Sequence, residues 1–157
     1  QPLFFSLQTK LEAAMKVQLE ILSSLLSCKA NQNNFKKFWD TFDIVDKRFA
    51  AKAVETPTNI LMILANELDY SIRCHLASNT STPASILAKL ASETEWIRSG
   101  VAGNPSTPRD IIVKLFNDIS PMVRNAATKN TSVMQEMFVN PSTSKQYNLK
   151  FGILKQC

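Results

Sequence analysis

Residues 97–108 read IRSGVAGNPSTP. The stretch runs from a β-branched residue and an arginine, through the small apolar pair Val101-Ala102, to Asn104 and the dipeptide Thr107-Pro108. The same order recurs along the chain. Thr-Pro stands at Thr56-Pro57, Thr82-Pro83 and Thr107-Pro108, separated by 26 and 25 residues. Seven residues after each proline comes Leu64, Leu90 or Leu115, and three further on comes Glu67, Glu93 or Asp118. Then follow Ile72-Arg73, Ile97-Arg98 and Val123-Arg124, with Asn79, Asn104 and Asn130 six residues after each arginine. Five markers keep their register through three copies. Self-similarity at such a period is the signature of stacked units, each too small to bury its own apolar face.

Each copy has a local physical reading. Threonine before proline predicts a helix start, with Thr56, Thr82 and Thr107 as N-caps and the proline at the first helical position. In the third copy Asp110 lies three residues after Thr107, close to a capping-box spacing. The helix that follows carries one apolar stripe: Ile60, Leu61 and Leu64, then Ile86, Leu87 and Leu90, then Ile111, Ile112 and Leu115. After the acid comes a turn and a second, shorter helical segment, whose Leu76-Ala77, Val101-Ala102 or Ala126-Ala127 allow close packing of neighbours. Because Glu67/Arg73, Glu93/Arg98 and Asp118/Arg124 recur in every unit, they are read as a structural ladder, with a row of binding arginines as the rival reading. Each arginine would bridge a carboxylate and backbone carbonyls of the next repeat.

The flanks are less regular. Upstream, Ala50-Ala51 fits the small pair, Lys47 takes the arginine position, and Phe35 and Phe38 take the core, while Asp46 stands where Ile or Val is expected. Downstream, Asn140-Pro141-Ser142-Thr143 repeats the joint only ten residues after Asn130. Val133 to Phe138 is therefore read as a truncated unit, followed by a last helix from about Ser144. In the first 31 residues Leu11, Met15, Leu19, Leu22 and Leu26 form a helical stripe, widened by Ala14, Ile21 and Leu25, with Glu12 and Lys16 paired on another face. This reads as one amphipathic helix capping the stack, with a docking helix for a partner as the rival reading. The expected organisation is a single domain: capping helix 1–31, about four repeats over 32–132 with the first degenerate, and an atypical C-terminal cap over 133–157.

The consensus Thr-Pro-x-x-x-Leu-x-x-Leu, acid, Val/Ile-Arg, Val/Leu-Ala-x-Asn-Pro-x-Thr-Pro resembles the leucine-rich repeat variant family, and IRSGVAGNPSTP is close to that family's junction. The resemblance covers about residues 46–132. It implies an all-α fold, a right-handed α-solenoid of two-helix repeats of about 25 residues, HEAT-like, with the second helix short or 3₁₀. Some members carry an iron–sulfur cluster on a separate N-terminal cysteine cluster. This chain has no such cluster, so no cofactor is carried over. The family speaks for architecture more than for activity.

The chain has 157 residues, room for one domain with a true core. Gln1 in place of an initiator methionine leads us to expect a processed product or a fragment. No run of 18 apolar residues exists, so no membrane insertion is expected. Three distant cysteines (Cys28, Cys74 and Cys157) and one histidine argue against a disulfide framework and a metal site, and favour a reducing, cytoplasmic setting. The net charge of +5 is spread thinly: the surplus is +1 over 1–31, +1 over 32–55, +1 over 56–132 and +2 over 133–157. A phosphate-binding surface needs concentrated charge, so the basic balance alone does not make one.

Function is then sought where the repeats differ. Trp96, with Tyr70 at the neighbouring position of its own unit, is the most conspicuous binding anchor, since tryptophan is enriched in hot spots. Cover for the core edge is its commoner fate. Lys89 and Lys114 share one place on the first helices and Arg109 precedes Lys114, giving either a small basic stripe or ordinary solvated faces. His75 beside Cys74 has no counterpart in other units, and the three glycines make no phosphate loop. The expectation is a non-catalytic scaffold for a protein or peptide partner. Backbone-dominated nucleic-acid binding is the alternative, and a structural module of a longer polypeptide is a further one.

Overall fold

The computed structural model describes residues 2–27 and 32–133, with side chains from residue 9 in the first stretch and from residue 33 in the second. Cys28, Cys157 and the C-terminal cap beyond Val133 lie outside the described residues. Within them the fold is all-α, with no strand. The helices are α1 (Pro2–Ser27), α2 (Gln32–Trp39), α3 (Ile44–Lys52), α4 (Thr58–Leu64), α5 (Tyr70–Ser78), α6 (Ala84–Leu90), α7 (Glu95–Gly103), α8 (Arg109–Leu115) and α9 (Pro121–Thr128). The chain's internal contacts gather into two compact units, Gln1–Pro83 and Ala84–Cys157. The boundary falls at one of three equivalent Thr-Pro joints, so the periodicity does not mark it.

In the first unit α1 packs on α2, α3 and α4, and α3 packs on α5. The apolar stripe of α4 is buried as its spacing predicts, by Ile60, Leu61 and Leu64, and so are Ala50, Ala51, Ile72, Leu76 and Ala77. The degenerate copy differs in detail. Its core residues are Trp39 and Phe42, whereas Phe35 and Phe38 are only half-buried. Trp39 stacks on Phe35 at 6.0 Å and on Phe42 at 5.6 Å, and the Lys47 ammonium lies 5.2 Å from the Trp39 ring. Asp46 departs from the apolar pattern because it closes a capping box: its Oδ2 accepts from the Asp43 N–H at 3.1 Å, while Asp43 Oδ1 accepts from Val45 and Asp46 N–H.

In the second unit α7 packs on α9, and α8 contacts both. Ile86, Leu87, Leu90, Ile97, Val101, Ala102, Ile111, Ile112, Leu115, Val123 and Ala127 form its core. Ala127 lies three residues after its arginine, in register with Leu76 and Val101, whereas Ala126, read as part of the small pair, is half-buried. The second helices are not the shorter ones. In each full copy the first helix has 7 residues, and the second is α-helical with 9, 9 and 8. The joint shortens the first helix, since Pro57 and Pro108 sit at its N-cap and not inside it.

That placement leaves the threonines facing the other way from the expected N-caps. Thr56 Oγ1 donates to the carbonyl of Ala50 at 2.6 Å, Thr82 to Leu76 at 2.7 Å and Thr107 to Val101 at 2.7 Å. Each hydroxyl is buried and reaches a carbonyl in the last turns of the preceding helix, where orphan acceptors need donors. Neither α4 nor α8 has a side-chain hydrogen bond at its N-cap.

The asparagines do more than end the unit. Asn79 Nδ2 donates to the carbonyls of Ala51 and Ala53 at 2.9 and 3.0 Å, and Asn130 Nδ2 donates to those of Ala102 and Asn104 at 2.8 and 2.9 Å. The Oδ1 atoms of Asn79, Asn104 and Asn130 accept from the N–H of Ser81, Ser106 and Ser132. Asn79 and Asn130 each fold their own joint and fasten it to the joint one repeat earlier. All three asparagines are buried, where an unpaired amide is costly.

Candidate interaction surface

The turn before each second helix carries the recurring acid and, beside it, side chains that differ between copies. In the second unit two such turns are bound to each other. Arg98 Nε and Nη2 donate to the two carboxylate oxygens of Asp118 at 2.7 and 2.8 Å, and Nη1 donates to the carbonyl of Glu93 at 2.8 Å. Arg124 Nη1 donates to the carbonyls of Asp118 and Ile119. Ser120 donates its N–H to Asp118 Oδ1 and its hydroxyl to the Glu95 carboxylate. The Arg98 guanidinium holds the Asp118 carboxyl below its usual range, and Asp118 in turn raises Arg98.

On this braced edge two large apolar side chains face solvent. Trp96 is 67% exposed and Ile119 is 90% exposed, each beside one partner of the Glu95–Ser120 hydrogen bond. Core cover, the commoner fate of a tryptophan, is therefore not the role of Trp96. Ile119 was missed by sequence reading because it stands next to a ladder acid and breaks no pattern. The residue after the acid is Leu68 or Thr94 in the other copies, so the position is not fixed by the repeat.

The corresponding turn of the first unit is similar in plan. Lys47 donates to Glu67 at 2.8 Å, Arg73 Nη2 donates to the carbonyl of Leu68 at 3.2 Å, and Leu68 and Tyr70 are exposed. Arg48 forms a two-pronged bond to Asp69, at 3.1 and 2.6 Å, and Asp69 also caps α5 through the Ile72 N–H. Asp69 is held at about 2, first by the Arg48 hydrogen bonds and then by the Ile72 N–H. The pair belongs to no repeated marker, because the other copies have Thr94 and Ser120 at the Asp69 position.

The ladder geometry thus differs from its expected form in one respect. Lys47 and Arg98 reach the acid one repeat on, Glu67 and Asp118, but Arg73, Arg98 and Arg124 take backbone carbonyls from the turn of their own repeat. The carbonyls lie five or six residues back along the same chain, within reach of the guanidinium fork.

Lys89, Arg109 and Lys114 are all exposed on α6 and α8. Lys89 and Lys114 lie in the last turns of their helices, where a cation also favours the negative helix end. His75 is half-buried; burial, then the charges of Lys52 and Arg48, push it below the usual imidazole range. Cys74 is a half-buried free thiol. Among the described residues no group of three or more His, Cys, Asp or Glu is placed to hold a metal ion, and no helix is long and apolar enough to cross a membrane.

The apolar stripe of α1 is buried only in its middle. Leu19 and Leu22 are fully covered, Met15, Leu25 and Leu26 are half-buried, and Ala14, Ile21 and Leu11 (75%) are exposed. No family model, curated protein or solved structure matches the chain.

Proposed function

We propose that the chain is a helical-repeat scaffold, a HEAT-like right-handed α-solenoid of the leucine-rich repeat variant kind, that binds a protein or peptide without catalysing a reaction. The observation that carries this reading is the exposed pair Trp96 and Ile119 on turns held by Arg98, Arg124 and Ser120. Rigid, solvent-facing aromatic and branched side chains are what a partner can bury with little ordering cost. The arginines that might otherwise recruit phosphates are already engaged by carboxylate and carbonyl oxygens. Lys89, Arg109 and Lys114 remain the residues on which the nucleic-acid alternative rests.

Selection of a phage-displayed peptide library on the immobilised protein tests the reading. Peptides enriched on the wild type should carry apolar anchors and lose at least about tenfold in affinity on Trp96→Ala, a difference of about 1.4 kcal/mol. The melting temperature should stay within about 2 °C, because an exposed side chain contributes little to folding. Peptides that bind Trp96→Ala/Ile119→Ser as tightly as wild type would refute it. Salt-sensitive DNA binding in fluorescence anisotropy, lost on Lys89→Glu/Lys114→Glu, would favour the nucleic-acid alternative.

A further inference from the structure

A second apolar surface lies in the first unit, along the groove between α1 and α3. Two adjoining cavities of about 170 and 130 Å³ share Glu12 and Phe49 as walls. The run of α1 that lines them extends from Leu11 to Leu19, which is about 12 Å at the helical rise, or roughly two helical turns. Leu11, Met15 and Ala13 line one side, and Val45, Phe49 and Ala53 the other. Leu11 is 75% exposed and Val45 65%, although both are large and apolar. The amphipathic pattern of α1 is thus wider than what α3 covers.

The rim of this groove reverses the charge of the chain. Glu12, Asp46 and Glu55 line it against Lys16, a local balance of −2 in a chain of net +5. We infer that the groove docks a short basic amphipathic helix of a protein partner, with apolar anchors between Leu11 and Val45 and lysines or arginines toward Asp46 and Glu55. The acidic rim argues against an anionic lipid surface, which would be repelled. It argues equally against a second copy, since a two-fold contact would bring the same acids face to face. The site is distinct from the Trp96 edge and does not depend on it.

The test uses the full chain and a defined probe. A fluorescein-labelled peptide of about 14 residues has leucines at helical spacing and lysines elsewhere, and its twin has glutamates for the lysines. The lysine peptide should bind in the micromolar range by anisotropy, with the glutamate twin at least about tenfold weaker. Val45→Lys and Glu55→Lys, both at exposed positions, should each weaken the lysine peptide about tenfold or more. Equal binding of the two peptides, or unchanged binding to Val45→Lys, would overturn the inference. So would a concentration-dependent dimer that Val45→Lys dissociates, or anionic-vesicle binding that it abolishes.

Discussion

The Arg98 guanidinium grips both carboxylate oxygens of Asp118, at 2.7 and 2.8 Å, across the boundary between one repeat and the next. Both side chains are largely shielded from water, with 19% and 9% of their surface exposed. Removing one partner therefore strands the other, and the loss exceeds what a surface ion pair contributes.

Arg98→Leu should accordingly destabilise the protein by about 2 kcal/mol, since it takes the guanidinium from the Glu93 carbonyl and leaves the Asp118 carboxylate with only the Ser120 N–H of the donors described. For a chain of this size that corresponds to a fall in melting temperature of about 4–8 °C. Adding Asp118→Asn to Arg98→Leu should cost less than the sum of the two single changes. A double-mutant cycle by thermal melting reads this coupling, and additive losses would show that the pair does not act as a unit.

Thr107 gives a sharper test of direction. Its hydroxyl donates to the Val101 carbonyl, so Thr107→Ser should stay near wild type and Thr107→Val should lose about 1–2 kcal/mol. Thr107→Asp separates the two geometries. An N-cap position would welcome an aspartate, whereas this one has no use for a group without a donor and should lose more than the valine variant. Urea titrations of the three variants give the order.

Acid should act first through His75 and then through Asp69. His75 sits below the usual imidazole range, so the folded state favours its neutral form; stability is full above about pH 6.5 and declines as pH falls toward the lowered value. Asp69 is held at about 2 by Arg48, so its contribution is full above about pH 4 and is lost as pH falls through 2. Melting temperatures measured from pH 7 to pH 2 should show both declines. His75→Gln should remove the upper one and Arg48→Gln should shrink the lower one. An Arg48→Gln profile that parallels wild type below pH 4 would show that the bond to Asp69 is not what lowers that carboxyl.

The apolar half of the fold was legible in the residues. Ile60, Leu61 and Leu64 and their counterparts are buried as their helical spacing predicts, because burial of a stripe follows from period alone. The polar half was legible in position but not in direction. Threonine both donates and accepts, so Thr56 before Pro57 looks like a cap whichever way its hydroxyl turns. The bonds of Asn79 to Ala51 and Ala53 span 28 and 26 residues and leave no local pattern. Arg48 and Asp69 are illegible for the opposite reason: the pair occurs once and so leaves no periodic mark.

Among candidate site residues, Trp96 and Tyr70 were found because they vary between copies, and the structure leaves both exposed. Ile119 and the groove between α1 and α3 were not found, since exposure of an apolar residue depends on what fails to cover it. The sequence of α1 shows an apolar stripe from Leu11 to Leu26 but not where α3 and α4 stop covering it.

The division between recurring residues that fasten repeats and varying residues left for partners is tested most directly at Asn79. Asn79→Asp keeps the shape and the acceptor toward Ser81, but it replaces the donor to Ala51 and Ala53 with a buried negative charge. If the asparagine staples one repeat to the next, the melting temperature at pH 7 should fall by about 6–12 °C, corresponding to roughly 3 kcal/mol. A melting temperature within about 1 °C of wild type would contradict it, because no buried staple of this kind can lose both its bonds unnoticed.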